Sequence, residues 1–200
     1  MINESLKFLS GEVNQYLNLK IPNPTVSEPR LVVSNISFAS ETNSSLRPAM
    51  NNKAVLSLVN VEEDKVAKQQ EHFKKSDTGT VYKNPPLYFN FYILFSMNRD
   101  LYDDNLAFLG CILQFFQFQT VFTPITHPSL DSRIQRLVVE LYNMSFEQTN
   151  HLWSVMGGKY YPSVLYKVRQ VTIDENATVS EAGFIKQINV NSQMKIPVTE

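Results

Sequence analysis

The chain has 200 residues, enough for one core of ordinary size or for one domain with an arm. Its 18 basic and 19 acidic residues give a net charge of −1, and no basic stripe is present, so nucleic acid is not an expected partner. Cys111 is the only cysteine, which excludes an intrachain disulfide and favours a buried, inert thiol. The six glycines offer little material for a phosphate-binding loop.

The N-terminus lacks a charged region followed by a continuous apolar run, and a membrane-spanning helix would need about 20 apolar residues in a row. The longest apolar stretches are interrupted by Asn90, Gln114 and Gln117. We therefore expect a chain that is made in the cytoplasm without a signal peptide and that does not insert into a membrane.

The first third of the chain predicts one helix followed by two strands. Apolar residues at spacings of three and four predict an amphipathic helix over residues 3–19, and a proline-rich linker follows it. Strands are predicted over residues 31–38 and 54–61, the second with a bulge near Val59. The polar run 40–53 between them is expected to be a loop.

The middle of the chain holds the strongest strand and a Phe-rich helix. The charged segment 62–83 is predicted to be a mobile hairpin loop or a short solvated helix. Alternation over residues 87–96 predicts a central strand with one core face and a half-polar face that is either solvated or a docking surface. A helix is predicted over residues 103–118. Three aromatic side chains widen its apolar arc, which indicates either a covering neighbour or a larger core: Phe108, Phe115 and Phe118.

The last third of the folded region predicts a strand, a short helix and another strand. A loop over residues 123–128 precedes a half-buried strand over 136–144, and a further strand covers 163–173. Between these strands, Ser145 and Gln148 have capping-box spacing and open a short helix, which a pair of glycines ends.

Strands and helices interleave without a regular βαβ repeat, so we predict an α+β fold with a mostly antiparallel β-sheet flanked by helices on one side. Residues 1–175 are predicted to form this domain, and residues 176–200 a C-terminal arm with apolar residues at Phe184, Ile188 and Val190. Strand addition gains backbone hydrogen bonds without a deep pocket, so we expect the arm to lie against another chain.

Patterns that carry catalysis or metal binding are weak. His72, His127 and His151 stand outside any metal-ligand spacing, so no metal or cofactor is expected. Glu147 and His151 share a helical face and could form an acid–base pair, but a surface ion pair or hydrogen bond is the commoner explanation of that spacing. No serine lies in a nucleophile-elbow motif, and we do not expect an enzyme.

An aromatic cluster near the end of the domain is the strongest candidate for protein contact. Trp153, Tyr160, Tyr161 and Tyr166, together with Arg169, are of the residue types that dominate interface hot spots. The alternative is a core filled with aromatic residues. Tyrosine hydroxyls need polar partners and the neighbouring GGKYYPS segment is typical of a loop, so we favour an interface.

Two long strings between residues 84 and 169 are specific, NPPLYFNFYILFS and LVVELYNMSFEQTNHLWSVMGGKYYPSVLYKVR. They resemble the tail-terminator or cap proteins of contractile injection systems, particles related to contractile phage tails such as the antifeeding prophage and the Photorhabdus virulence cassette. The likeness runs from the first helix to about Ile173. The loops around residues 40–52 and 62–81 and the tail depart from it.

The resemblance implies a structural role as a six-fold ring on the last ring of the inner tube, opposite the baseplate. Such a ring ends tube growth and contacts the last sheath ring, so the implied partners are further copies of the chain, the tube protein and the sheath protein, with no small-molecule substrate. Assembly-interface candidates are Phe115, Phe118, Trp153, Tyr160, Tyr161, Tyr166, Arg169, Phe184, Ile188 and Val190. The alternatives are another joining or baseplate protein of a phage-tail-like particle, an enzyme using Glu147 and His151, and a carrier of a small apolar ligand.

Overall fold

The computed structural model describes residues 1–21, 28–41, 45–64, 73–76, 79–83, 87–173 and 178–183. The chain divides into two compact units, Met1–Lys68 with Leu87–Ile173 and Gln69–Pro86 with Asp174–Glu200. The strands are β1 Leu31–Val33, β2 Lys53–Glu63, β3 Phe73–Ser76, β4 Gly79–Lys83, β5 Leu87–Asn98, β6 Val121–Phe122, β7 Leu137–Leu141, β8 Ser163–Ile173 and β9 Thr178–Gly183. The helices are α1 Ile2–Lys20, α2 Arg47–Met50, α3 Tyr102–Phe118 and α4 Phe146–Val155, with a 3₁₀ helix at Ile36–Ala39.

The larger unit is built on a six-stranded sheet in the order β1-β2-β5-β8-β7-β6. All neighbouring strands are antiparallel except β1 and β2, which run parallel. The predicted α+β class with a mostly antiparallel sheet is confirmed, and so is the bulge in β2, where the register with β5 shifts between Leu58 and Asn60.

Strand β5 organises the core because it buries both of its faces. Phe91, Ile93 and Phe95 join the apolar stripes of α1 and α3 in the larger core cluster. Leu94 points to the opposite face, where it packs in a second cluster with Trp153 of α4. Each fully buried side chain of this size contributes about 1.5 to 3 kcal/mol of transfer free energy, so β5 is a main source of stability.

The two faces of the sheet carry different helices. The long helices α1 and α3 cover the first face, as the sequence predicts. The second face is covered by α4, the residues of the 3₁₀ helix and the end of α2, so the prediction of helices on one side only is wrong. The expectation of a solvated or docking face on β5 is therefore wrong at Leu94 and Ser96, which these elements bury.

Side-chain hydrogen bonds shorten the first predicted strand. β1 ends at Val33, and the Asn35 side chain accepts a hydrogen bond from the Ser37 backbone N–H at 3.1 Å. The hydroxyl of Ser57 accepts from the Ile36 N–H at 3.0 Å and donates to the Ser34 carbonyl at 2.8 Å. These bonds replace ladder partners, so the predicted strand 31–38 turns into the 3₁₀ helix. The predicted loop 40–53 likewise contains the short helix α2.

Helix α4 begins and ends as the sequence predicts. The Gln148 N–H donates to the Ser145 hydroxyl at 3.2 Å, and the Ser145 N–H donates to the Gln148 side-chain oxygen at 3.0 Å. Past its C-terminus, Gly157 and Gly158 have φ of 99° and 75°, a region that side chains with a Cβ rarely adopt.

The smaller unit contains a three-stranded antiparallel sheet in the order β3-β4-β9. Strands β3 and β4 form the hairpin that was one alternative for the charged segment 62–83. Strand β9 lies in the predicted arm and pairs with β4 of the same chain, with Thr80 opposite Ala182. The domain boundary at residues 175 and 176 stays a prediction.

Candidate assembly surface

A groove lies between α3 and the end of the large sheet. Its volume is about 620 Å³, and its lining is mostly apolar. The lining residues are Leu113, Gln114, Phe116 and Gln117 of α3, Thr120, Val138, Val139, Glu140 and Leu141 of β7 and its flank, and Tyr166 of β8. Leu113 and Leu141 are exposed at its rim, so the groove offers apolar area to a partner.

One wall of the groove is a partly open sheet edge. Strand β6 pairs only with Leu137 and Val138 of β7, and the Val139 N–H donates to the Thr120 carbonyl at 2.8 Å. The Tyr142 N–H donates toward β8, to the Leu165 carbonyl at 2.9 Å, so the backbone groups of Leu141 point away from β8. In the described part of the chain no strand pairs with β7 at Leu141 on that side, which leaves this backbone edge open.

Helix α3 supplies the other wall because its apolar arc is wider than the sheet can cover. Phe108 and Phe115 are buried, whereas Phe118 in the last turn is 85% exposed. The alternative of a larger core therefore holds for Phe108 and Phe115, and coverage of Phe118 by a neighbour stays a prediction. We call the groove, together with the exposed side chains of Phe118 and Val121, the α3–β7 surface.

The interface candidates fall into three groups. Four of them are buried within the chain: Phe115, Trp153, Tyr161 and Tyr166. Three are exposed: Phe118, Tyr160 and Arg169. Three lie outside the described residues: Phe184, Ile188 and Val190. The interface prediction as a whole is untested, but among the described candidates the exposed group offers most of the side-chain area to a partner.

Trp153 and its neighbours illustrate why residue type alone misleads. The Trp153 ring packs 5.7 Å from the rings of Tyr160 and Tyr161, and it is enclosed in the cluster that includes Leu94. Tyr166 packs 4.6 Å from Phe116, and burial raises its pKa. In the free chain the rings of Trp153, Tyr161 and Tyr166 fill cores, which was the alternative interpretation of the aromatic cluster, whereas Tyr160 is exposed.

The match to a family model covers residues 6–187 and is to the Pvc16 N-terminal domain. The chain belongs to this family. A search of curated proteins finds no match.

Two solved structures have a similar fold to this Pvc16 N-terminal domain. One is the sheath/tube terminator of an extracellular contractile injection system, PVC, in its extended state, with a TM-score of 0.59, 14% identity and coverage of 100% of this chain and 65% of that chain. The other is the tube-terminating cap of the anti-feeding prophage, with a TM-score of 0.50, 14% identity and coverage of 94% of this chain and 61% of that chain. The domain thus spans under two thirds of each of these proteins.

The second face of the sheet carries an ionic cluster that sequence reasoning missed. Glu62 accepts a hydrogen bond from the Tyr92 hydroxyl at 2.8 Å and lies 3.6 Å from the Lys167 ammonium, and both contacts lower its pKa. Next to it, Arg169 pairs with Glu140 at 2.7 Å. These contacts join residues on different strands, so only the register of the sheet brings them together. Surface pairs of this kind add little stability. Of these residues, Glu140 also lines the groove.

No catalytic arrangement emerges from the described part of this Pvc16 N-terminal domain. Glu147 and His151 are both exposed on α4, and no hydrogen bond or ion pair joins them there. Cys111 is half-buried, and burial raises the pKa of its thiol, which disfavours the reactive thiolate. Among the described residues, no group of three or more acidic, histidine or cysteine side chains could hold a metal ion.

A helix that crosses a bilayer has about 20 mostly apolar residues, and the described helices differ from that. None of them is both long enough and apolar enough to cross a membrane.

Proposed function

We propose that this chain is a structural cap that ends the inner tube of a contractile injection system and contacts the last sheath ring. The observation that carries the proposal is the similarity of fold to a sheath/tube terminator and to a tube-terminating cap, over 100% and 94% of this chain. Membership of the Pvc16 N-terminal domain family supports it. The chain then works at the baseplate-distal end of the assembled particle.

We further propose that six copies form a closed ring. A ring repeats one heterologous contact, so each copy needs two different adhesive faces, and a third face must meet the tube. The α3–β7 surface is suited to be one of these faces because it combines exposed apolar side chains with an open strand edge. A stable contact of this kind buries about 1,200 to 2,000 Å² in total.

Another joining or baseplate role in a phage-tail-like particle is the nearest alternative. It shares the requirement for adhesive faces and differs in position. An enzyme using Glu147 and His151 is less well supported, since no hydrogen bond or ion pair joins the two exposed side chains in the described structure.

Deleting the gene for this chain tests the proposal. We expect particles whose tubes and sheaths vary widely in length, measured as a length distribution by negative-stain electron microscopy. Complementation with the wild-type chain should restore one narrow length, and so should the Glu147→Gln variant if the role is structural. A deletion strain with an unchanged length distribution would overturn the proposal, and failure of Glu147→Gln alone would favour the enzyme.

A further inference from the structure

Arg30 is a buried arginine at the end of the linker before β1. It is 8% exposed, yet it lines a pocket of about 320 Å³. The other lining residues include two further cations, Lys53 and Arg99, two carboxylates, Glu28 and Asp104, and the ring of Phe108.

The backbone of Arg30 is held in place from two sides. Its N–H donates to the Asn14 side-chain oxygen at 2.9 Å, and its carbonyl accepts from the Ala54 N–H at 2.8 Å. The first bond ties Arg30 to helix α1 and the second to strand β2. The backbone that carries the guanidinium is therefore fixed. This lowers the conformational entropy that is lost when the side chain binds a ligand.

The other charges of the pocket are already paired. Lys53 lies 3.0 Å from Glu28, and Arg99 lies 3.2 Å from Asp104 and donates to the Asn52 carbonyl at 2.9 Å. Among the described residues, no acceptor lies within hydrogen-bonding distance of the Arg30 guanidinium. One positive charge is left over in a confined space.

The ring of Phe108 and the guanidinium of Arg99 lie next to the Arg30 guanidinium. The Arg99 guanidinium stacks 4.3 Å from the centre of the Phe108 ring, and the Arg30 guanidinium lies 6.0 Å from the same centre. Burial and the charge of Arg99 lower the pKa of Arg30, but arginine keeps its proton in proteins. Within the described ranges, the Arg30 guanidinium faces the pocket without an ion pair of its own, so an anion that enters the pocket gains a charge-assisted hydrogen bond there.

We propose that this pocket binds an oxyanion, a carboxylate or a phosphate group, through the free N–H donors of Arg30. The guanidinium fork matches the oxygen pairs of both groups and can donate two parallel hydrogen bonds. Glu28 and Asp104 repel a ligand of high negative charge, so the site takes a single small anionic group. The inference does not depend on the proposed role as a cap.

Thermal unfolding of the purified chain in sodium phosphate and, separately, in sodium acetate tests the site, with chloride keeping the ionic strength constant. Because a ligand of the folded state stabilises it, we expect the Tm to rise with the concentration of at least one of the two anions and to saturate. A Tm that rises with phosphate but not with acetate indicates a phosphate site. A Tm that rises with both anions indicates a general oxyanion site, which a partner's carboxylate can fill.

Substitutions of Arg30 then test whether this residue causes the anion-dependent rise in Tm. Arg30→Gln should abolish the anion-dependent rise, and Arg30→Lys should weaken apparent binding by roughly tenfold, because an ammonium lacks the fork. Arg133→Gln is the matched control, since Arg133 is an exposed arginine paired with Asp131, and it should behave as wild type. No response to either anion, or an equal response in Arg30→Gln, would overturn the inference. If Arg30→Gln does not fold, the comparison rests on Arg30→Lys.

Discussion

Asn14 joins helix α1 to the start of β1 through its side-chain amide. Its oxygen accepts from the N–H groups of Arg30 and Leu31, both at 2.9 Å, and its nitrogen donates to the Leu31 carbonyl at 2.8 Å. The same nitrogen donates to the Ser10 carbonyl at 2.9 Å. The side chain thus replaces the pairing that β1 lacks on its outer edge, where sheet neighbours end.

The substitution Asn14→Ala leaves the N–H groups of Arg30 and Leu31 without partners. It also leaves the Leu31 carbonyl with only the longer bond from the Ser10 hydroxyl, at 3.4 Å. We expect it to lower the free energy of unfolding by about 2 to 4 kcal/mol, measured by chemical denaturation. Asn18→Ala, at an exposed position of the same helix, should change that free energy by less than about 0.5 kcal/mol. Equal effects of the two variants would show that the Asn14 amide does not anchor the strand.

At the residue scale, the type of a side chain does not decide whether the side chain is buried. Trp153 and Tyr160 lie seven residues apart and are both aromatic, yet the first is buried and the second exposed. Whether each ring is buried depends on which elements pack over it. Those elements are distant from the ring in sequence. The Arg30 pocket was missed for the same reason, because its cations come from three separate parts of the chain.

At the scale of elements, strong periodicity made the long helices and strands predictable. The apolar stripe of α1 and the alternation along β5 extend over many residues, so their boundaries were found within one or two positions. The two-residue strand β6 was missed because its pairing with β7, and not its own sequence, defines it. The groove beside it could not be predicted, since it exists only where β6 stops short of Leu141.

The substitution Leu141→Asp tests the α3–β7 surface as an adhesive face. Leu141 is 50% exposed at the groove, so the change should leave the fold of the free chain intact while placing a charge on the open edge. We expect the purified variant to keep its Tm but to be lost from assembled particles, as measured by immunoblotting of purified particles. Leu19→Asp, at another exposed leucine outside the groove, is the control and should be incorporated. Normal incorporation of Leu141→Asp would remove this surface from the ring contact.

At the scale of the whole molecule, the resemblance to a known family predicted more than composition and periodicity did. The strings around β5 and from β7 to β8 identified a class of cap proteins, and the family match over residues 6–187 confirms the recognition. Composition and periodicity predicted the fold class but not the assembly. The six-fold count and the sheath contact stay proposals, and the arm's contact with another chain stays a prediction, because Phe184, Ile188 and Val190 lie outside the described residues.

Cryo-electron microscopy of intact particles from the organism that encodes this chain tests the central claim most directly. The account predicts a ring of six copies, with the fold of the six-stranded sheet and its helices, at the baseplate-distal end only, seated on the last tube ring and touching the last sheath ring. A map that places this fold at the baseplate, or that shows a distal end closed by a different fold, would contradict it.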